Sequence, residues 1–351
     1  MIFAETKEQR ELRRMLRSFL GANASIEIVR RAAEQHDGFD ARAWSKLVTE
    51  LELTATAIPA AQGGVGGDFA DLAVVIEELG RTLLPVPFLS TAVAAAVLSG
   101  CEASAARDAL LGQIVNGGAV ALALGDNDLT LMEDGVRLEG VVDHVLGVEQ
   151  ARILLTIVGD MLLAVELELD EVTVEPRPTL DQTRRLTQVR MGGAPAMQLG
   201  ADAAVARARD LLAVALALES LGGAEQALEQ TVEYLKQREQ FGRPIGSFQA
   251  LKHRCAELLV MVERARATAA YAAWAADDAP AELHLVAPLA LALGSEAFMA
   301  VAAESIQLRG GVGFTWDDDA HLYFKRAKST QLLHGLPPQL RAQAATRAGV
   351  I

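Results

Sequence analysis

Cysteine is nearly absent: Cys101 and Cys255 are the only two in 351 residues. One lies near a loop and the other inside an apolar helical pattern. That excludes a disulfide-framed secreted scaffold and leaves two reduced core thiols. Aromatic residues are also scarce, at 5%, although hydrophobic residues make up 51%. Ala, Leu and Val must therefore fill the interior, and small or unbranched side chains of good helix propensity suit helix-on-helix packing. Positive charge is in deficit: 32 Lys and Arg against 46 Asp and Glu leave a net charge of −14. A nucleic-acid partner is excluded on that ground, because phosphate backbones reward a basic surface. Long hydrophobic runs are missing too. The longest, Thr91 to Leu98, is too short to cross a bilayer, and the start, Met1-Ile2-Phe3-Ala4-Glu5, does not read as a signal peptide. The expectation is a soluble cytoplasmic protein that does not engage a membrane.

What is present divides into three textures, giving expected domains at residues 1–117, 118–198 and 199–351. From Thr6 to about Asn116 the apolar spacing is helical. Leu12, Met15, Leu16, Phe19 and Leu20 form one face of a first helix. Asp71 is placed to cap a later helix containing Val74, Val75, Ile76 and Leu79. The glycine-rich stretch Pro59 to Gly67 reads as a loop, since no strand precedes it and no GK[ST] follows. From Ala119 to about Val189 short runs rich in β-branched residues, punctuated by Gly-Asp and Asp-Gly turns, predict a compact β domain. No Gly-x-Gly-x-x-Gly follows a strand, so a dinucleotide-binding α/β fold is a poor reading. From Asp202 the helical period returns in four segments. The first runs to Gln237. Ser247 is placed to cap the second, which runs to Ala276; Asp278 and Pro280 start the third, which runs to Leu308. The fourth extends from near Asp317 to before Gly335. Four helices with short connections predict an antiparallel bundle, and the fold class is mainly α with a central β domain.

Two runs in this last third carry the chemistry: Arg238-Glu239-Gln240-Phe241-Gly242 and Gln307-Leu308-Arg309-Gly310-Gly311-Val312-Gly313-Phe314. A guanidinium at a helix end can clamp a diphosphate with two parallel hydrogen bonds, and Phe241 offers an aromatic face. Phe248 and Gln249 open the next helix, whose first N–H groups attract anions. Gly310 and Gly311 let backbone N–H groups approach a ligand closely. Together with Thr179-Leu180-Asp181 and Ala320-His321-Leu322-Tyr323-Phe324-Lys325-Arg326-Ala327, these runs resemble the acyl-CoA dehydrogenase family over nearly the whole chain. Helices, β domain, helices is also that family's layout. The resemblance implies that Arg238, Gln240, Phe241, Phe248, Gln249, Gln307, Gly310 and Gly311 contact the ADP half of an FAD whose flavin ring sits in a neighbouring subunit.

The departures are as informative. The family's flavin-holding strand and loop are here reduced to Ala121-Leu122-Ala123-Leu124-Gly125-Asp126. Its Trp-Ile-Thr/Ser run aligns with His144-Val145-Leu146, without indole or hydroxyl. The usual catalytic glutamate falls at His334, and the alternative glutamate at Leu212, beside Ala213. His334 reads as a helix C-cap that could act as a base, and Glu219 and Glu304 as structural or interface carboxylates. Asp317-Asp318-Asp319 reads as macrodipole partners rather than a metal site, and Lys325, Arg326 and Lys328 as a solvated or intersubunit face. The resemblance implies a subunit of an acyl-CoA dehydrogenase that desaturates an acyl-CoA thioester and passes electrons to an electron-transfer flavoprotein-type acceptor. This chain would complete the cofactor site of a paralogous full-length subunit in an α2β2 assembly. A self-sufficient homo-oligomer using His334 or Glu219, and a scaffold without flavin, are the alternatives.

Overall fold

A computed structural model describes residues 5–35, 38–125 and 127–350. Met1 to Ala4 and Asp126, the last residue of the reduced flavin-loop run, lie outside them. The chain begins with six helices: α1 (Lys7–Asn23), α2 (Ile26–Glu34), α3 (Ala41–Thr49), α4 (Phe69–Thr82), α5 (Phe88–Ser99) and α6 (Ala105–Val115). Seven strands follow: β1 (Ala119–Ala123), β2 (Thr130–Leu131), β3 (Arg137–Leu146), β4 (Ala151–Val158), β5 (Met161–Glu166), β6 (Val172–Arg177) and β7 (Leu186–Ala201). The last part holds α7 (Ala203–Gln237), a small hairpin of β8 (Glu239–Gln240) and β9 (Arg243–Pro244), α8 (Gln249–Asp278), α9 (Pro280–Arg309), α10 (Ala320–Leu333) and α11 (Pro337–Arg347). The chain falls into two compact units, residues 1–30, 73–84 and 213–351, and residues 31–72 and 85–212.

In the second unit the strands run in the order β2-β3-β1-β4-β5-β7-β6, and β3 also pairs with β7, so the sheet closes on itself. The 16-residue β7 makes this possible: Leu186 to Pro195 pairs with β3, and Ala196 to Ala201 with β5. Sequence periodicity understates this strand, because its glycines and proline interrupt the apolar alternation. Leu138, Val142, Val145, Leu154, Val165, Val189 and Met191 fill the interior. The strand β1 is buried along its whole length, which explains why it reads as a continuous apolar run.

The first unit holds the helical bundle, with one helix more than expected: α11 packs against α9. Several helix starts also differ. Asp68 caps α4, accepting the N–H of Asp71 at 2.7 Å, while Asp71 reciprocates to the Asp68 N–H at 3.3 Å. Phe248, not Ser247, precedes α8. On α1, Leu16 and Leu20 are buried but Met15 is 43% exposed. Among the described residues, two helical segments, Ala203–Gln237 and Pro280–Phe314, are long and apolar enough to cross a membrane by composition, contrary to the reading from uninterrupted runs. Of their most apolar windows, 89% and 67% are buried inside the protein, as core helices of a bundle are.

Glycine replaces bulk where two of these helices nearly touch. A Cβ on Gly222 would lie 1.9 Å from the Glu77 carbonyl oxygen, and one on Gly80 2.4 Å from that of Glu219. Backbone cannot give way there as a flexible side chain can. Gly222→Ala is therefore expected to destabilise the chain by about 1–3 kcal/mol. Gly112→Ala in α6, where nothing lies within 4 Å, should be neutral or slightly stabilising. Thermal denaturation of both variants checks the contrast, and equal melting temperatures would refute the close crossing.

Candidate functional site

The C-terminal end of α7 passes directly into the small hairpin. The Arg238 N–H still reaches the Tyr234 carbonyl at 2.9 Å, and the Ile245 N–H returns to the Arg238 carbonyl at 2.8 Å. The strands pair Glu239 with Pro244 and Gln240 with Arg243, leaving Phe241-Gly242 as a two-residue turn. Both take positive φ, +53° and +74°, the pattern of tight hairpins. Glycine accepts this freely, whereas for a bulky aromatic it is strained. Phe241 is nonetheless 88% exposed, held edge-on to Phe248 at 6.0 Å. The Arg243 guanidinium covers the Phe248 ring at 4.2 Å. Phe248 then opens α8 with no side chain capping its first N–H groups, which leaves a positive helix end beside the hairpin.

The helix α9 ends at the same end of the bundle. The Tyr234 hydroxyl donates to the Arg309 carbonyl at 3.4 Å, and Arg309 Nη1 donates to Thr231 Oγ1 at 3.2 Å. Arg254 Nε lies 3.5 Å from Glu304 Oε1, tying the start of α8 to the last turns of α9. Arg238, Gln240, Phe241, Phe248 and Gln249 are thus brought to one end with Gln307, Gly310 and Gly311. The side chains of Arg238, Gln240, Gln249 and Gln307 are exposed and make no hydrogen bond or ion pair among the described residues.

The glycines of this loop are not alike. Gly310 has φ +62° and ψ −141°, a region closed to other residues. Gly313 is needed for space: a Cβ there would lie 2.8 Å from the Ile306 carbonyl oxygen. Gly311 has neither reason. Its backbone is ordinary, and a Cβ would meet nothing within 4 Å. The arrangement offers an exposed guanidinium, three carboxamides, a positive helix end, an aromatic face and open backbone. That set can hold an anionic ligand carrying an aromatic ring.

The remaining candidates lie elsewhere. His334 is the C-cap of α10, roughly 20 Å along that helix from its start, at 1.5 Å per residue. Glu219 faces the Arg326 guanidinium at 3.2 Å, with both side chains nearly buried, and Glu304 faces Arg254. Both carboxylates are engaged in ion pairs. Arg326 is 4% exposed, so the Lys325-Arg326-Lys328 run is not one solvated face. The Asp317-Asp318-Asp319 run is likewise more specific than a set of dipole partners. Asp318 faces Arg309, and Asp319 accepts from Arg30 at 2.7 Å. In the β unit, His144 sits in a bulge of β3 with φ +59°, and its neighbour Asp143 is engaged by Gln188 and Arg177. The exit of β1 is internally satisfied as well, with Thr156 donating to the Ala123 carbonyl at 3.1 Å. In sequence, neither run carries an indole or a hydroxyl.

Sequence reasoning missed Thr231 and Tyr234, which hold the glycine loop, and it named Arg309 and Asp318 without their pairing. It also missed an exposed aromatic beyond the run, Trp316, 64% exposed, and gave no separate role to Phe314, 85% exposed. Trp316 lies edge-on to His321 at 4.8 Å, with Lys325 over its ring at 4.3 Å. An arginine beside a glycine pair was a visible signal, but its partners on α7 lie 75 and 78 positions away.

Comparison with known proteins gives consistent results. Residues 6–117 match the family "Acyl-CoA dehydrogenase, N-terminal domain", and residues 190–348 match "Acyl-CoA dehydrogenase, C-terminal domain". The chain is 38% identical over 340 residues to the acyl-CoA dehydrogenase IpdE2 of Mycolicibacterium smegmatis, covering 95% of this chain and 97% of that protein. It is similar to a chain of the ChsE4-ChsE5 complex from Mycobacterium tuberculosis, at 26% identity and a TM-score of 0.92 over the full length of both. A variant of the Tcur3481-Tcur3483 steroid ACAD is similar at 29% identity and a TM-score of 0.90, with 98% of each chain covered.

Proposed function

The chain belongs to the acyl-CoA dehydrogenase family of FAD-dependent oxidoreductases, and from that premise we propose that it is the partner-dependent half of a heteromeric acyl-CoA dehydrogenase. Arg238 grips the diphosphate, Phe241 and Phe248 flank the adenine side, and Gln240, Gln249, Gln307 and the N–H groups of Gly310 and Gly311 supply hydrogen bonds. A full-length paralogue contributes the flavin pocket, the acyl-CoA tunnel and the base, in an α2β2 assembly. When bound, FAD supplies the hydride acceptor for α,β-desaturation of the thioester.

The observation that carries this reading is Gly311. Neither backbone angle nor packing asks for glycine there, so the missing side chain leaves room for something outside the chain. The unengaged Arg238 and the strained, exposed Phe241 point to the same end. The partner dependence rests on an asymmetry: this half is intact, while β1 and the β3 bulge lack the groups to hold a flavin, and His334 and Leu212 occupy the usual base positions. The similarity to the ChsE4-ChsE5 complex supports a two-chain assembly. The similarity to a steroid ACAD favours a bulky acyl-CoA substrate. The cytoplasm and an electron-transfer flavoprotein-type acceptor belong to the same proposal.

The test is the absorbance near 450 nm of the chain purified alone and after co-expression with a full-length paralogue. The expected result is a colourless chain alone and a yellow, stoichiometric, acyl-CoA-oxidising complex. A chain that is yellow by itself and bleached by an acyl-CoA would overturn the proposal.

A further inference from the structure

Arg309 stands next to the glycine pair, yet it does not point outward with Arg238. Its side chain is only 7% exposed and is engaged by neighbouring groups of the bundle. Nη1 donates to Thr231 Oγ1 at 3.2 Å and to the Ser305 carbonyl at 3.4 Å, while Nε lies 3.3 Å from Asp318 Oδ2. Thr231 and Ser305 are joined through their hydroxyls at 2.6 Å. The other oxygen of Asp318 accepts the Ala320 N–H at 2.8 Å, at the first residue of α10. A single carboxylate therefore joins the last residue of α9 to the start of α10, closing the loop Gly310 to Asp317 at its base. Arg30 reinforces the far side, with Nη2 donating to the Asp318 carbonyl at 2.9 Å.

We propose that Arg309 and Asp318 form a clasp that positions the Gly310–Gly311 backbone for the cofactor, with Arg309 acting as a positioning residue rather than a ligand. The inference rests on the proposed ADP site and assigns to it a support that neither glycine provides. The loop needs such support because glycine at 310 and 311 leaves its backbone free to wander. Residues that orient contacting groups without touching the ligand commonly change affinity by about 10- to 100-fold when removed. A charged pair largely shielded from water, with Arg309 Nη1 and the second Asp318 oxygen tied to further groups, is suited to holding one geometry.

The experiment uses the co-expressed complex, stripped of flavin and titrated with FAD by fluorescence, alongside the melting temperature of the chain alone. Asp318→Asn retains an oxygen for the Ala320 N–H but removes the charge opposite Arg309. Arg309→Met removes the whole clasp, and Arg309→Lys restores charge without the fork. FAD binding is expected to weaken about tenfold in Asp318→Asn and more in Arg309→Met, with Arg309→Lys recovering most of the Met loss. Wild-type FAD affinity in Asp318→Asn and Arg309→Met, even with a lowered melting temperature, would reduce the clasp to a stability element and overturn the proposal. Gly311→Val separates the two levels. If it loses FAD while the clasp variants do not, the site stands and the clasp falls. If it keeps FAD, the site itself fails, and the clasp with it.

Discussion

Gly311→Val is expected to abolish flavin retention by the two-chain complex while leaving the melting temperature of this chain within a few degrees of wild type. The fold gives the substitution room: the backbone is unstrained and no atom lies within 4 Å of the new Cβ. Helix propensity adds no cost to the chain, since valine is no worse than glycine in a helical turn. The cofactor has no such latitude, because a branched side chain would occupy the space through which it approaches the backbone. Losing one or two hydrogen bonds to a charged diphosphate is worth about 1.5–3 kcal/mol each, or roughly 10- to 100-fold apiece. Gly313→Ala should behave oppositely, lowering the melting temperature through its clash with the Ile306 carbonyl. The measurements are flavin-to-protein ratio after gel filtration and thermal denaturation. A Gly311→Val complex that emerges with full flavin would remove the observation on which the proposed site stands.

Arg81→Met should be among the most destabilising substitutions available in the bundle. Arg81 is 8% exposed, Glu78 1% and Glu225 7%, and the guanidinium reaches Glu225 at 3.0 Å, Gln226 at 2.7 Å and Glu229. Removing one cation from this buried cluster leaves its carboxylates under-compensated, although Arg266 still faces Glu225 and Arg13 and Arg17 still face Glu78, so the expected loss is about 3 kcal/mol, or roughly 4 °C for a chain of this size. The effect should depend on pH in a stated direction. Burial, with the neighbouring Glu77 carboxylate adding to it, raises the Glu225 carboxyl to about 7, well above its ordinary value. A carboxyl raised on folding binds its proton more tightly in the native state. Stability therefore falls as pH rises from the unfolded value through 7, and the cost is fully present above it. Arg81 offsets that cost, so its loss should be felt more at pH 8 than at pH 6. Equal losses at the two values would show that Glu225 is not the group responding.

The helices, the apolar strands and their order could be read from periodicity, because 3.6-residue and two-residue repeats are local properties of the chain. The candidate site was legible as a proposal for a related reason: Arg238 to Gly242 and Gln307 to Phe314 are short contiguous runs, and the bundle brings them to one end. The long strand β7 was less legible, since glycines and a proline blur its alternation and its role depends on pairing with β3 and β5 in succession. The cap of α4 falls at Asp68 rather than Asp71 because the two aspartates accept from each other's N–H groups, and α8 starts after Phe248 with no side-chain cap in place of the expected Ser247.

By itself, then, the sequence determined the element types, the mainly α fold with its central β domain, and which residues were candidates for the proposed cofactor site. Only tertiary structure decided which glycine of the loop is there for space and which is open. It alone decided that Asp318 is held by Arg309, and that Arg326 turns inward to Glu219. Those decisions rest on contacts between residues far apart in the chain, and their energies depend on burial and distance, which no local pattern encodes.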